Sequence, residues 1–277
     1  MSVINTNVKS IVAQNAATVN NRALGKAMEQ LSTGKRINSA ADDAAGLAIT
    51  NKMTNQIRGL NQAVRNANDG ISMIQTAEGA TQEVTNMLQR MRELAVQAAN
   101  ATNTADDRQY IQLEVKELQS EIGRIGDNTQ WNGMNISKTV TTAGVAKATF
   151  QVGANANQVI TVAFKNTASV AGMITAVAAT VSTVTKSNDA ITAIDNALKG
   201  IDSYRATLGA KINRLSYAAD NLSNISANAT ASRSRIADTD YAKTTTELAR
   251  TQIIQQAATA MLAQANQQPQ SVLSLLR

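Results

Sequence analysis

The chain contains no cysteine and no histidine. Without cysteine there is no disulfide, no thiolate metal site and no thiol nucleophile. Without histidine the commonest general base, the usual zinc ligand and any Ser-His-Asp triad are missing as well. The Asp, Glu, Lys, Tyr and Ser residues that remain form no convergent constellation. An enzyme is therefore not expected, and no cofactor or metal is implied. Proline occurs once, at Pro269, and aromatic residues make up only 3%. A proline costs a helix interior about 3 kcal/mol, so its near absence permits long uninterrupted helices. With two phenylalanines and one tryptophan, the core has to come from Leu, Ile, Val, Met and Ala.

The 277 residues carry a net charge of +6. The basic residues are spread singly along the chain, and few aromatics exist to stack on bases. That pattern reads as a solvated basic face, with nucleic acid not an expected partner. No run approaches the ~18 continuous apolar residues of a transmembrane helix, so no membrane partner is expected either. Met1 to Asn21 lacks the charged and apolar regions of a cleaved signal peptide. The protein either stays in the cytosol or leaves by a route that needs no such signal.

Most of the chain has coiled-coil spacing. Met53, Ile57, Leu60, Val64, Ala67, Ile71 and Ile74 alternate in steps of four and three. Two extra steps of three lead through Ala77 to Ala80, and Val84, Met87, Met91, Leu94 and Ala98 resume the alternation. Such a slip overwinds a coiled coil locally without ending the helix. At the helical rise this seam makes a rod of about 69 Å. A second seam runs through Ile111, Val115, Leu118, Ile122 and Ile125. A third takes Ile191, Ile194, Leu198, Ile201, Arg205, Leu208, Ile212, Leu215, Ala219 and Leu222, with Arg205 its polar entry, a register device or an end-exposed site. Three seams imply a bundle.

Between the second and third seams the period changes to two. Thr149 to Val152 and Val159 to Phe164 read as strands, with Gly153 to Asn157 turning between them. Phe150, Val152, Ile160, Val162 and Phe164 fall on one face, suited to capping a helical bundle. The fold class is mainly α: an elongated helical bundle or coiled-coil rod with a small β-hairpin region.

The two ends differ from everything between. Thr251 to Leu276 holds no charged residue, and Met1 to Asn21 holds only Lys9. Each carries an apolar stripe: Ile4, Val8, Val12 and Val19 (interrupted by Asn15) at one end, and Ile254, Ala258, Met261 and Ala265 at the other. An exposed helix face normally carries charge. A helix lying on a membrane would line its polar face with Lys and Arg, whereas here that face is Gln and Asn. The expected role is packing against other molecules, with Leu273 and Leu276 extending the surface.

Several segments resemble bacterial flagellin: SVINTNVKSIVAQNA at the start, LSTGKRINSAADDAAGLAI from Leu31 to Ile49, and LQRMRELAVQAAN from Leu88 to Asn100. DNTQWNGMNI from Asp127, FQVGANANQ from Phe150, and the tail from Ile236 ending VLSLLR do so too. The resemblance implies a structural subunit, exported unfolded, that polymerises into the extracellular flagellar filament used for swimming. It implies that the N- and C-terminal helices are paired, as a split terminal domain of residues 1–43 and 236–277 lining an inner tube. Residues 44–235 would form a rod-like domain, with the hairpin near 149–164 and a short variable segment near 137–188 in place of large outer domains. The partners implied are further copies of the chain, hook-associated and cap proteins, and a flagellar export chaperone. A hook–filament junction protein has similar terminal helices, but LQRMRELAVQ and VLSLLR favour flagellin.

Two local patterns follow. Asp42 and Asp43 read as a helix-start pair that complements the dipole ahead of Ala44, not as a metal site. Gln89, Arg90, Leu94 and Gln97, with Glu114 on the next helix, match the QRxRELAVQ surface that contacts the flagellin-sensing Toll-like receptor of animals. By period Leu94 belongs to the seam, while Arg90, Glu93 and Gln97 fall off it. Receptor recognition is what the resemblance implies for this motif.

Overall fold

The computed structural model describes residues 6–136, 145–165 and 181–274, and their side chains apart from 145–146 and 268–274. Among these, five helices carry most of the chain: α1 (Val8–Thr33), α2 (Ala44–Ala99), α3 (Ala105–Asn128), α4 (Val184–Ala237) and α5 (Tyr241–Ser274). Two hairpins interrupt them, β1 (Gln130–Trp131) with β2 (Met134–Asn135), and β3 (Val145–Gln151) with β4 (Val159–Lys165). None of the described helices is long and apolar enough to cross a membrane.

Side chains set the helix starts. Asn7 accepts from the Ser10 amide at 3.1 Å, and Asp43 accepts from the Gly46 amide at 2.8 Å. Thr104 and Asp107 form a reciprocal capping box on α3, and Asp240 accepts from the amides of Ala242 and Lys243. Each satisfies amides that the first helical turn leaves unpaired. The acidic pair is thus divided in its work. Asp43 caps α2, while Asp42 accepts from the Asn38 and Ser39 amides and pairs with Lys26 Nζ at 2.8 Å. Those bonds hold the Asp42 carboxyl well below its usual range, the Lys26 contact contributing most.

The chain divides into two compact units, residues 1–56 with 227–277, and residues 57–226. Of the cuts expected from the sequence, 43/44 falls at the start of α2 and 235/236 lies inside the last turn of α4. The compact units include residues 44–56 of α2 and 227–237 of α4 with the termini.

Within unit 57–226 the seams pack as three helices. Val84, Leu88, Met91, Leu94 and Ala98 of α2 meet Val115 and Ile122 of α3 and Ile194, Ala197 and Ile201 of α4. The third seam keeps its phase. Tyr204, at 3% exposure, fills the core beside the seam's polar entry, Arg205. Arg205 turns partly outward, 3.8 Å from Glu78. Spacing alone could not choose between the two neighbours.

The larger hairpin is antiparallel with Phe150 opposite Ile160 and Ala148 opposite Val162. β4 alternates, burying Ile160, Val162 and Phe164. Phe150 and Val152 pack with them, giving the single apolar face expected, against Ile74 of α2 and Tyr204 and Leu208 of α4. The strand expected to begin at Thr149 begins at Val145. Glycines of α2 let the hairpin sit close. A Cβ at Gly70 would lie 3.1 Å from the Phe150 ring, and one at Gly59 would lie 3.1 Å from the Ala154 Cβ. The smaller hairpin turns at Asn132 and Gly133, with φ of 50° and 75°. Positive φ at both centres is the type I′ geometry that Asn-Gly favours. It leads directly into buried Ile136.

Candidate assembly surface

In the terminal unit α1 and α5 run antiparallel. The Asn7 amide donates to the Ala265 carbonyl at 2.8 Å, Ser10 Oγ to Asn266 Oδ1 at 2.9 Å, and the Asn20 amide to the Thr251 carbonyl at 2.8 Å. Asn20 and Thr251 are buried, as are Ala27 and Thr244 farther along. Beyond the helices the strand-like turns clasp. Lys35 bridges Asp238, the Arg36 amide donates to the Ala237 carbonyl at 2.7 Å, and Thr239 donates to Gly34 at 3.0 Å. Gly34 sits at φ 70°, and a Cβ there would also meet the Tyr241 hydroxyl at 3.1 Å. The Arg36 guanidinium closes the clasp with bonds of 3.1 and 2.8 Å to the Ile236 carbonyl.

Small and amide residues therefore join the two helices, and the apolar stripes are left outside that seam. Val8, Val12, Ile254, Ala258, Met261 and Ala265 converge on one open groove of about 690 Å³. Lys9 is the single charged residue in its lining. Val8 is 57% exposed, Val12 61% and Met261 65%. Val19 lies next door, in a more polar groove with Asn15, Asn20, Glu247 and Arg250. Ile4 and Leu276 fall outside the described residues, as does the side chain of Leu273.

The polar rungs Asn7, Ser10, Asn20 and Asn266 were not anticipated. An asparagine on a helix gives no sign of which carbonyl it will meet until the partner helix and its direction are known. The stripes were legible because burial has a period.

The second candidate surface lies in unit 57–226. Gln89, Arg90, Gln97 and Glu114 are exposed, whereas Leu94, at 2% exposure, is part of the three-helix core beneath them. Leu94 thus supports this surface from below and is not itself accessible. Arg90 reaches from α2 to α3, its Nη2 lying 2.9 Å from Glu114, and also pairs with Glu93 at 3.1 Å. Those hydrogen bonds, Glu114 first, raise its pKa further above an already high value. Two residues on, Arg92 reaches the other way to Asp195 of α4 at 2.7 Å.

Residues 4–142 match the bacterial flagellin N-terminal helical region, and residues 191–276 match the C-terminal helical region. The chain belongs to the bacterial flagellin family. A flagellin from Halalkalibacterium halodurans is 49% identical over 277 residues, spanning 99% of this chain and 100% of the relative. The flagellar filament 33 kDa core protein of Treponema phagedenis is 45% identical over 292 residues, with 99% and 100% covered. The crystal structure of Bacillus cereus flagellin, 30% identical, aligns with 57% of this chain and 88% of its own length at a TM-score of 0.51. Flagellin is a structural filament protein and not an enzyme, and the described residues of this one include no large outer domain. The two matched regions together hold every residue of the groove.

Proposed function

We propose that this flagellin polymerises into the extracellular flagellar filament used for swimming, and that the groove between α1 and α5 is the surface its neighbours fill. The observation that carries this reading is the division of labour within the helix pair. Polar rungs hold the two helices together, while Val8, Val12 and Met261 remain largely open to water and Ile254 partly so. A free subunit gains nothing from that exposure, whereas a polymer buries it at every repeat. Contacts that do not close a ring propagate into an open-ended fibre. Because the terminal helices bury little on their own, their ordering is coupled to assembly.

Deleting Thr251 to Arg277 removes one wall of the groove and leaves unit 57–226 with its own core. The expected result is a folded chain that forms no tubes with a central channel when seeded. Filaments from that truncation in electron micrographs would overturn the assembly reading.

The remaining partners belong to the same proposal. An export chaperone would cover the groove before secretion, and hook-associated and cap proteins would present matching surfaces at the filament ends. The exposed Gln89, Arg90, Gln97 and Glu114 would be read by the animal Toll-like receptor on the free monomer.

A further inference from the structure

We propose that Met261 is an oxidation site whose conversion to the sulfoxide switches this subunit from assembly-competent to assembly-incompetent. The inference rests on the groove being the assembly surface. Met261 is 65% exposed and sits among Val12, Ile254 and Ala258, with Lys9 the only charge nearby in the lining. Exposed methionine is oxidised by peroxides, whereas core methionines such as Met91, at 1% exposure, are shielded. The reaction is a two-electron transfer from sulfur. The peroxide O–O bond breaks, one oxygen forms the S=O bond, and the other leaves as water.

The product is a strong acceptor on a side chain that was apolar. Within a free subunit the change is harmless, because water solvates the new oxygen. Within the polymer neighbours would press the same oxygen against Val12, Ile254 and Ala258 and strip its water, leaving only Lys9 and Gln264 of the lining as donors, a costly arrangement. Modification therefore acts on assembly and not on the fold. It is reversible, since a reductase can return the sulfoxide to the thioether with two thiols as reductant. It also has a direction: once neighbours cover the groove, Met261 is shielded, so subunits are vulnerable before assembly and protected after it.

Two other methionines among the described residues are largely exposed, Met28 at 56% and Met134 at 50%, and neither lines the groove. They serve as internal controls. The full chain would be treated with hydrogen peroxide, sulfoxides mapped by peptide mass spectrometry, and seeded growth followed by light scattering and electron microscopy. The critical concentration for growth is expected to rise roughly tenfold in the oxidised parent. Met261→Leu, treated alike, is expected to grow as untreated protein does. The double variant Met28→Leu with Met134→Leu is expected to remain sensitive, and it decides the matter should Met261→Leu assemble poorly from the outset. Preformed tubes given peroxide are expected to carry far less sulfoxide at Met261 than at Met134. Normal growth of the parent with Met261 oxidised, equal sensitivity of Met261→Leu, or full oxidation of Met261 inside tubes would each overturn the inference. Failure of untreated protein to grow tubes at all would instead count against the assembly reading.

Discussion

The buried amide of Asn20 donates to the carbonyl of Thr251 across the two terminal helices at 2.8 Å. It is the most enclosed of the polar rungs, and it lies at the end of the pair nearer the clasp. Asn20→Ala removes one hydrogen bond, at a cost of about 1 kcal/mol. Asn20→Asp is the sharper variant, because it sets a carboxylate against a carbonyl oxygen with no donor between them. Amide hydrogen exchange should then show faster opening of α1 and α5, with exchange in unit 57–226 unchanged. Equal protection of α1 in parent and Asn20→Asp would mean that the rung does not hold the pair.

Arg90 poses a different problem, because it binds Glu114 and Glu93 within the chain and is also the residue expected to meet the receptor. Exposed ion pairs of this kind contribute little to stability, since water screens them and ordering two long side chains offsets the attraction. Arg90→Ala is therefore expected to leave thermal stability nearly unchanged while lowering receptor signalling several-fold. Exchanging the partners, as Arg90→Glu with Glu114→Arg, restores an ion pair but not the receptor's view of it. Signalling should stay low in that double variant. Undiminished signalling by Arg90→Ala would dismiss receptor recognition at this surface. Leu94→Ala is no test of contact, since emptying its core site costs about 2–5 kcal/mol and disturbs the surface indirectly.

Three helical glycines separate packing from propensity. Gly79 has nothing within 4 Å of an added Cβ, so Gly79→Ala should gain the ordinary helix preference, about 0.5–1 kcal/mol. At Gly70 three Phe150 ring carbons lie 3.1 to 3.2 Å from the same position, and the ring would have to move as a body. At Gly59 the obstacle includes the Ala154 backbone at 3.4 Å. Gly70→Ala and Gly59→Ala should therefore fall short of the Gly79→Ala gain or lose stability outright. Thermal melts of the three variants decide this, and equal gains would show that the hairpin yields freely.

Much of this architecture could be read before any coordinates. The four-three alternation placed Leu60, Ala67, Ile74, Val84, Met91 and Ala98 in the core, because a long helix buries a face at a fixed period. The alternation of β4 gave its inner face for the same reason. Period fixes phase, however, and not identity. It entered Arg205 on the seam and passed over Tyr204, and a tyrosine can occupy that depth because its hydroxyl finds the Lys165 amide. The Asn132–Gly133 turn was plain in the residues, with Trp131 and Met134 beside it, and could have been read as a hairpin. The groove was half legible. Its apolar residues were named from their spacing, while the asparagines that hold it open toward water depend on a helix more than two hundred residues away.

Tyr204 gives a prediction in pH. Its ring is buried against the hairpin, and its hydroxyl accepts from the Lys165 amide at 3.3 Å. Burial disfavours the phenolate and pushes the hydroxyl up to about 12, against an ordinary 10.0. A group whose pKa is raised on folding contributes stability in full below its unfolded value and loses it as pH climbs through the folded one. The loss therefore falls between about pH 10 and 12 and amounts to roughly 2–3 kcal/mol. Tyr204→Phe isolates the contribution. The variant loses one long hydrogen bond at neutral pH, about 1 kcal/mol, and then declines less steeply than the parent above pH 10. Urea titrations of both proteins across that range should show the curves converging. Parallel curves would mean that Tyr204 ionises without opposing the fold.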